Sequence, residues 1–163
     1  MTSKYCRHIF NTRHQYTQVR QMKLGLKENA MIHCDFSENY AVKYNSEVQS
    51  VHFGVSNAQV TLHTGILYTE GQVTGFATIS DCRKHDPPAI WAHLKQIFEY
   101  ASVNYPAVHS VNFVSDGPTT QYRSKNNFFH LSTKPFEWGM RYINWSFLEA
   151  GHGKGAADGM AAF

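Results

Sequence analysis

The stretch M-I-H-C-D-F-S-E-N-Y at residues 31–40 sets the tightest constraint on how this chain can fold. Ala30, Met31, Ile32 and Cys34 form an apolar run of strand length, and Asp35 arrives where the pattern turns polar at Phe36-Ser37-Glu38-Asn39. A carboxylate at the end or middle of a buried strand is unfavourable unless something compensates its charge. A divalent cation does so directly, because hard cations take oxygen ligands. Capping of nearby amides is the alternative role for such a residue. A second strand, Val108–Ser115, ends the same way in Asp116, and a third carboxylate, Asp158, follows a Gly-rich turn.

The pattern around these acids predicts a mixed sheet. Ala30–Phe36, Val48–Phe53, Val60–Tyr68 and Val73–Ser80 read as strands, rich in β-branched and aromatic residues. Polar turns at Tyr44-Asn45-Ser46, Ser56-Asn57 and Glu70-Gly71 join them into an antiparallel meander. Asp86-Pro87-Pro88 then starts a helix, with an N-cap and prolines allowed in the first turn. Ile90, Trp91, Leu94, Ile97, Phe98 and Ala101 recur at helical spacing up to Tyr105-Pro106. Val108–Ser115 is a strand broken by Gly117-Pro118. Thr119–Leu131 reads as a helix, Arg141–Leu148 as the last strand, and Ala156–Phe163 as the start of a final helix. A meander followed by alternating helices and strands gives an α/β fold with helices on the faces of a mixed sheet.

Residues 1–28 are polar and basic, with an irregular helical spacing of Tyr5, Ile9, Tyr16, Val19 and Met22. One or two helices are expected there, either as an arm contacting phosphates or as a solvated helix packed on the domain edge. The remainder, 29–163, reads as one domain without repeats or linkers. A chain of 163 residues with 42% hydrophobic and 17% charged residues is an ordinary globular protein with a sizeable core. A formal charge of +3 is compatible with a nucleic-acid partner without arguing for one. Cys6, Cys34 and Cys82 are odd in number and form no C-x-x-C pair, so neither a disulfide framework nor a zinc ribbon is indicated. No apolar run approaches membrane-spanning length. The expected setting is intracellular and reducing, nuclear if the source is eukaryotic, with no membrane partner and no small-molecule cofactor.

Several polar features could serve a site. Gly151-His152-Gly153-Lys154-Gly155 is not a P-loop, since it lacks the four-residue spacer and the Ser or Thr after Lys. Its glycines instead permit positive φ or close approach to a phosphate, with His152 and Lys154 as contacts; a solvated surface turn explains the same residues. Gln121, Tyr122, Arg123, Lys125, Asn126 and Asn127 form a polar stretch beside Asp116 that could hold a nucleic-acid backbone, or be an exposed first helical turn. Histidines 33, 52, 63, 93 and 109 show no zinc spacing and read as hydrogen-bonded structural residues. Trp91, Trp138 and Trp145 read as core.

Three blocks, H-C-D-F-S-E-N-Y, V-S-D-G-P-T-T-Q-Y-R-S-K-N-N-F and F-L-E-A-G-H-G-K-G-A-A-D-G-M, together resemble the catalytic blocks of transposon-derived proteins. These belong to the ribonuclease H-like superfamily of DDE/DDD transposases and integrases, and the resemblance runs from about Glu28 to Phe163. It implies a ribonuclease H-like α/β fold with a mixed five-stranded sheet flanked by helices. It also implies a first carboxylate on the first strand (Asp35), a second after the fourth (Asp116), and a third on the helix after the last strand (Asp158). Glu149, at the end of the last strand, is the rival third ligand, and a helix-first-turn role is the alternative for Asp158. Such a site holds two magnesium or manganese ions for phosphodiester cleavage and strand transfer on DNA. Asp35 would bridge both ions, while a homodimer in a synaptic complex is the assembly that chemistry would call for. The chain ends five residues after Asp158, so the helix presenting that acid is expected to be cut short, and no terminal-repeat DNA-binding module is evident. The competing readings are a catalytically inactive, domesticated nucleic-acid-binding domain and a cellular ribonuclease H-like nuclease acting on RNA–DNA hybrids or junctions.

Overall fold

The computed structural model describes residues 2–37, 39–41, 59–149 and 159. The elements in chain order are α1 (Thr2–Leu24), β1 (Asn29–Phe36), β2 (Tyr40–Ala41), β3 (Gln59–Thr69), β4 (Gln72–Ser80), α2 (Pro87–Asn104), β5 (Ser110–Ser115), α3 (Lys125–Leu131), α4 (Lys134–Glu137) and β6 (Tyr142–Phe147). β1 lies at the centre of the sheet, antiparallel to β3 on one side and parallel to β5 on the other. β4 pairs antiparallel with β3 at one edge, and β6 pairs parallel with β5 at the other. This is a ribonuclease H-like arrangement: an antiparallel meander extended by two parallel strands reached through helices. Among the described residues the sheet counts six strands, one more than the resemblance implies, because two-residue β2 pairs with β3 beside β1.

The meander forms because β3 and β4 carry β-branched residues along their length and meet at a tight turn where Gly71 takes φ 74°. β1 is buried along most of its length, as expected of a strand covered on both faces. Successive side chains point to opposite faces, and the core divides accordingly. Ala30, Ile32 and Cys34 join Ile90, Trp91, Leu94 and Phe98 of α2, Val111 and Phe113 of β5, and Trp145 of β6 in the larger cluster. Met31 and Val114, on the other face, pack with Leu26, Ile66 and Tyr68 and with Val19 and Met22 of α1.

α2 starts where the Asp86 side chain accepts a hydrogen bond from the Ala89 amide, with prolines in the first turn. It ends ahead of Pro106, and the apolar stripe expected from the sequence is its buried face. The 1–28 stretch forms a single helix. The 119–131 helix is shorter than expected: it runs only over Lys125–Leu131, because Ser124 caps it by accepting from the Asn127 amide, and 119–123 is turn. The sequence reading gives no helix at 134–137, where α4 makes one turn. Trp91 and Trp145 are buried, and Trp138 is partly buried against the same cluster. The expected strand Val48–Phe53, the helix Ala156–Phe163 apart from Gly159, and His52 fall outside the described residues.

Candidate functional site

The site grows from strand register. Ile32 faces Phe113 and His33 faces Val114 in the parallel β1–β5 pair. Two residues further along, Asp35 comes level with Asp116. Ser115 faces Phe147 on β6, so Leu148 occupies the next position in the same row. The row lies across the C-terminal ends of the three parallel strands, where β1 leads off toward β3 and β5 toward α3. Open α/β sheets leave a crevice at such a divergence.

Each acid is held by its backbone. Asp35 Oδ1 accepts from the Phe36 amide at 2.8 Å. The buried Ser115 hydroxyl donates to the Asp116 carbonyl at 2.7 Å and accepts from Trp145 Nε1 at 2.9 Å, tying the end of β5 to β6. The Leu148 amide donates to the Ser115 carbonyl. Both acidic residues are half-buried, and Asp116 Oδ1 is itself enclosed.

The electrostatics place the two acids in one neighbourhood. Burial pushes the Cys34 thiol far above its ordinary range, and Asp35 and Asp116 both add to the rise. Burial also raises the Tyr122 hydroxyl, with Cys34, Asp35 and Asp116 contributing and the Phe36 main chain opposing. Both groups therefore stay protonated beside the acids, and Cys34 is no nucleophile at neutral pH.

Glu149 is engaged elsewhere. Its Oε1 lies 3.3 Å from His8 Nδ1 and accepts from Asn11 Nδ2 at 3.4 Å. Its amide donates to Gln15 Oε1, and Gln15 Nε2 donates to the Phe147 carbonyl. The polar half of α1 is thus latched to the end of β6. Asp158, His152 and Lys154 lie outside the described residues. Among the described residues no group of three or more His, Cys, Asp or Glu is gathered tightly enough to hold a metal ion. The described part of the expected ligand set is the Asp35–Asp116 pair.

The polar stretch after Asp116 divides in two. Arg123 and Lys125 are exposed and Gln121 is half-buried, but Tyr122 and Asn127 are fully buried, so neither backbone contact nor an exposed helical turn describes those two. Trp91 Nε1 donates to Asn127 Oδ1 at 2.7 Å, and Asn127 Nδ2 donates to the Tyr122 carbonyl at 2.6 Å. A buried amide meets its hydrogen-bonding capacity this way, and here it fixes the loop behind Asp116 to α2.

The sequence also gave no sign that histidines would cluster. Phe36 stacks on His85 at 4.3 Å and 3°, with His63 at 4.7 Å and His93 at 5.7 Å. His63 Nε2 pairs with the Tyr122 hydroxyl at 3.1 Å, and His93 Nδ1 with Thr78 Oγ1 at 2.7 Å. The signal lies in the pairing of Phe36 with His63 across β1 and β3, which a single sequence does not specify.

The strand order is that of a ribonuclease H-like α/β fold. The chain belongs to the DUF8701 family, a domain of unknown function whose family model matches residues 13–163. No curated protein matches it. A solved structure described as "Mos1 transposase paired-end complex with left transposon end" is similar at a TM-score of 0.48 and 12% identity, over 93% of this chain and 44% of that one. The chain thus spans less than half the length of that protein.

Proposed function

We propose that this domain processes phosphodiester bonds in DNA in the manner of a transposase, with Asp35 and Asp116 as two ligands of a divalent-metal site. The observation that carries the reading is the level placement of the two acids at the diverging ends of adjacent parallel strands. The donor set fits a hard cation: carboxylate oxygens of two half-buried residues with no thiolate in play. Bound magnesium or manganese would supply Lewis-acid assistance to the attacking and leaving oxygens of a phosphoryl transfer.

The chain's own residues do the rest by positioning. Asp35 and Asp116 offer fixed oxygens because strand backbone and the Ser115 tie hold them. Asp158 is the proposed third acid, and Glu149, turned to α1, is the less suitable one. Arg123 and Lys125, exposed beyond Asp116, contact backbone phosphates; His152 and Lys154 are assigned the scissile phosphate. No covalent protein intermediate is required, since water or a DNA 3′-hydroxyl serves as the nucleophile.

A silent nucleic-acid-binding domain is the second reading, favoured by the commitment of Glu149 to His8 and Asn11. Manganese-dependent nicking of supercoiled plasmid separates the two. Nicking by the wild type that Asp35→Asn and Asp116→Asn abolish supports the enzyme. Equal nicking by all three proteins indicates contamination and removes the claim; binding without nicking favours the silent domain.

A further inference from the structure

The strongest charge asymmetry in the molecule lies on α1. This 23-residue helix carries five Lys or Arg residues and neither Asp nor Glu. The whole chain has 15 Lys and Arg against 12 Asp and Glu. Everything outside α1 therefore holds 10 cations against 12 anions, and the basic character of the chain is the property of one helix. Such asymmetry is the electrostatic footprint of a polyanion-binding surface.

Helix geometry directs most of that charge outward; Lys23 alone turns inward, 3.9 Å over the Tyr68 ring. Gln15, Val19 and Met22 face the sheet, where Gln15 bonds the Phe147 carbonyl and the other two pack on the smaller core cluster. Arg7, Arg13 and Arg20 are exposed. Tyr5, Phe10 and Tyr16 are exposed on the same helix, at 67%, 67% and 73%. Arginines on a helix with no acids offer charge to the phosphate backbone of a duplex, and the aromatics beside them lie flat against it without stacking on its paired bases. At about 1.5 Å per residue the helix is about 35 Å long, comparable to one turn of duplex DNA.

Location completes the argument. α1 packs on the face of the sheet that carries Met31 and Val114, the residues in phase with Asp35 and Asp116 along their strands. An acidic pair repels a phosphate backbone at a distance, so a domain acting there needs cations beside it. We infer that the outward face of α1 is a duplex-DNA docking surface that tracks the phosphate backbone alongside the Asp35–Asp116 row. The inference deepens the proposed function by naming where the substrate is held, and its test does not depend on catalysis.

The test is fluorescence-anisotropy titration of a labelled duplex in EDTA across a salt series. It compares wild type, the triple variant Arg7→Gln, Arg13→Gln, Arg20→Gln, and a charge-matched control, Lys84→Gln, Lys95→Gln, Lys134→Gln. Every substituted side chain is exposed or ion-paired at the surface, so folding is retained and checked by circular dichroism. The α1 variant is expected to lose at least about tenfold in affinity at low salt and to lower the log–log salt slope by about 2–3, at roughly 0.9 per phosphate contact. The control should change neither by that much. Equal losses in both triples, or no loss in the α1 variant, overturns the inference. A wild type that sediments as a dimer and is made monomeric by Phe10→Ser also overturns it, because the face is then a protein interface. The wild type separates the two proposals: α1-dependent binding without any manganese-dependent nicking leaves this surface standing and removes the enzyme, whereas nicking with no α1 dependence of binding removes this surface alone.

Discussion

Asp35 and Asp116 stand level on neighbouring parallel strands, two residues beyond the His33–Val114 pair, although 81 positions separate them in the chain. Everything proposed about chemistry rests on that adjacency, and the surrounding packing explains how it is kept.

Gly65 guards one side of it. The glycine pairs with Cys34 across β1 and β3, and a Cβ there would overlap the His33 carbonyl oxygen and the Phe76 ring. Gly65→Ala is expected to destabilise the fold by about 1–3 kcal/mol, the usual range for overpacking. Urea unfolding checks this; an unchanged midpoint would show that β3 yields without resistance.

On the other side, Asn127 binds the loop after Asp116 to α2. Asn127→Ala leaves the buried Trp91 indole N–H and the Tyr122 carbonyl without their partner. Each buried group left unsatisfied costs about 1–3 kcal/mol, and amide exchange in residues 117–124 should accelerate. Stability and exchange equal to the wild type would mean the contact does not hold the loop.

The histidine cluster predicts the pH response. Burial lowers the His63 pKa from 6.5 to about 3, with His93 and His85 adding to the shift; His85 and His93 are lowered as well, chiefly by burial. Between those values the unfolded chain binds a proton that the folded one refuses. The contribution is therefore intact above about 6.5 and is lost as pH falls toward 3. Urea midpoints should drop between pH 7 and pH 5, before most carboxylates titrate, and the drop should shrink in His63→Gln. A flat profile in that interval contradicts the assignment.

Glu149 and Asp158 separate cleanly by substitution. With Glu149 held by His8 and Asn11, Glu149→Gln should leave manganese-dependent nicking within a few-fold of wild type, whereas Asp158→Asn should abolish it. The reverse result would transfer the third position to Glu149.

Much of this fold was legible in the sequence, and the reasons are local. The alternation in β3 and β4, the Asp86-Pro87-Pro88 start and the α2 stripe are set by residues near one another in the chain. They fix the elements almost to their ends. The 119–131 helix was overread because Tyr122 supplies an apolar position at helical spacing, while its burial comes from His63 and Asn127, distant or unforeseen partners. Asn127 looked like a surface amide for the same reason: only Trp91, across the core, reveals its role. Asp35 and Asp116 were readable as strand-end acids. Their adjacency required the parallel register of β1 and β5, which no single-sequence pattern encodes.

The most direct test of the metal site is a crystal of this domain soaked in manganese and measured at the manganese absorption edge. An anomalous peak within about 2–2.6 Å of carboxylate oxygens from both Asp35 and Asp116 is the predicted result. Manganese bound only at other residues, with neither acid in contact with a peak, would contradict it.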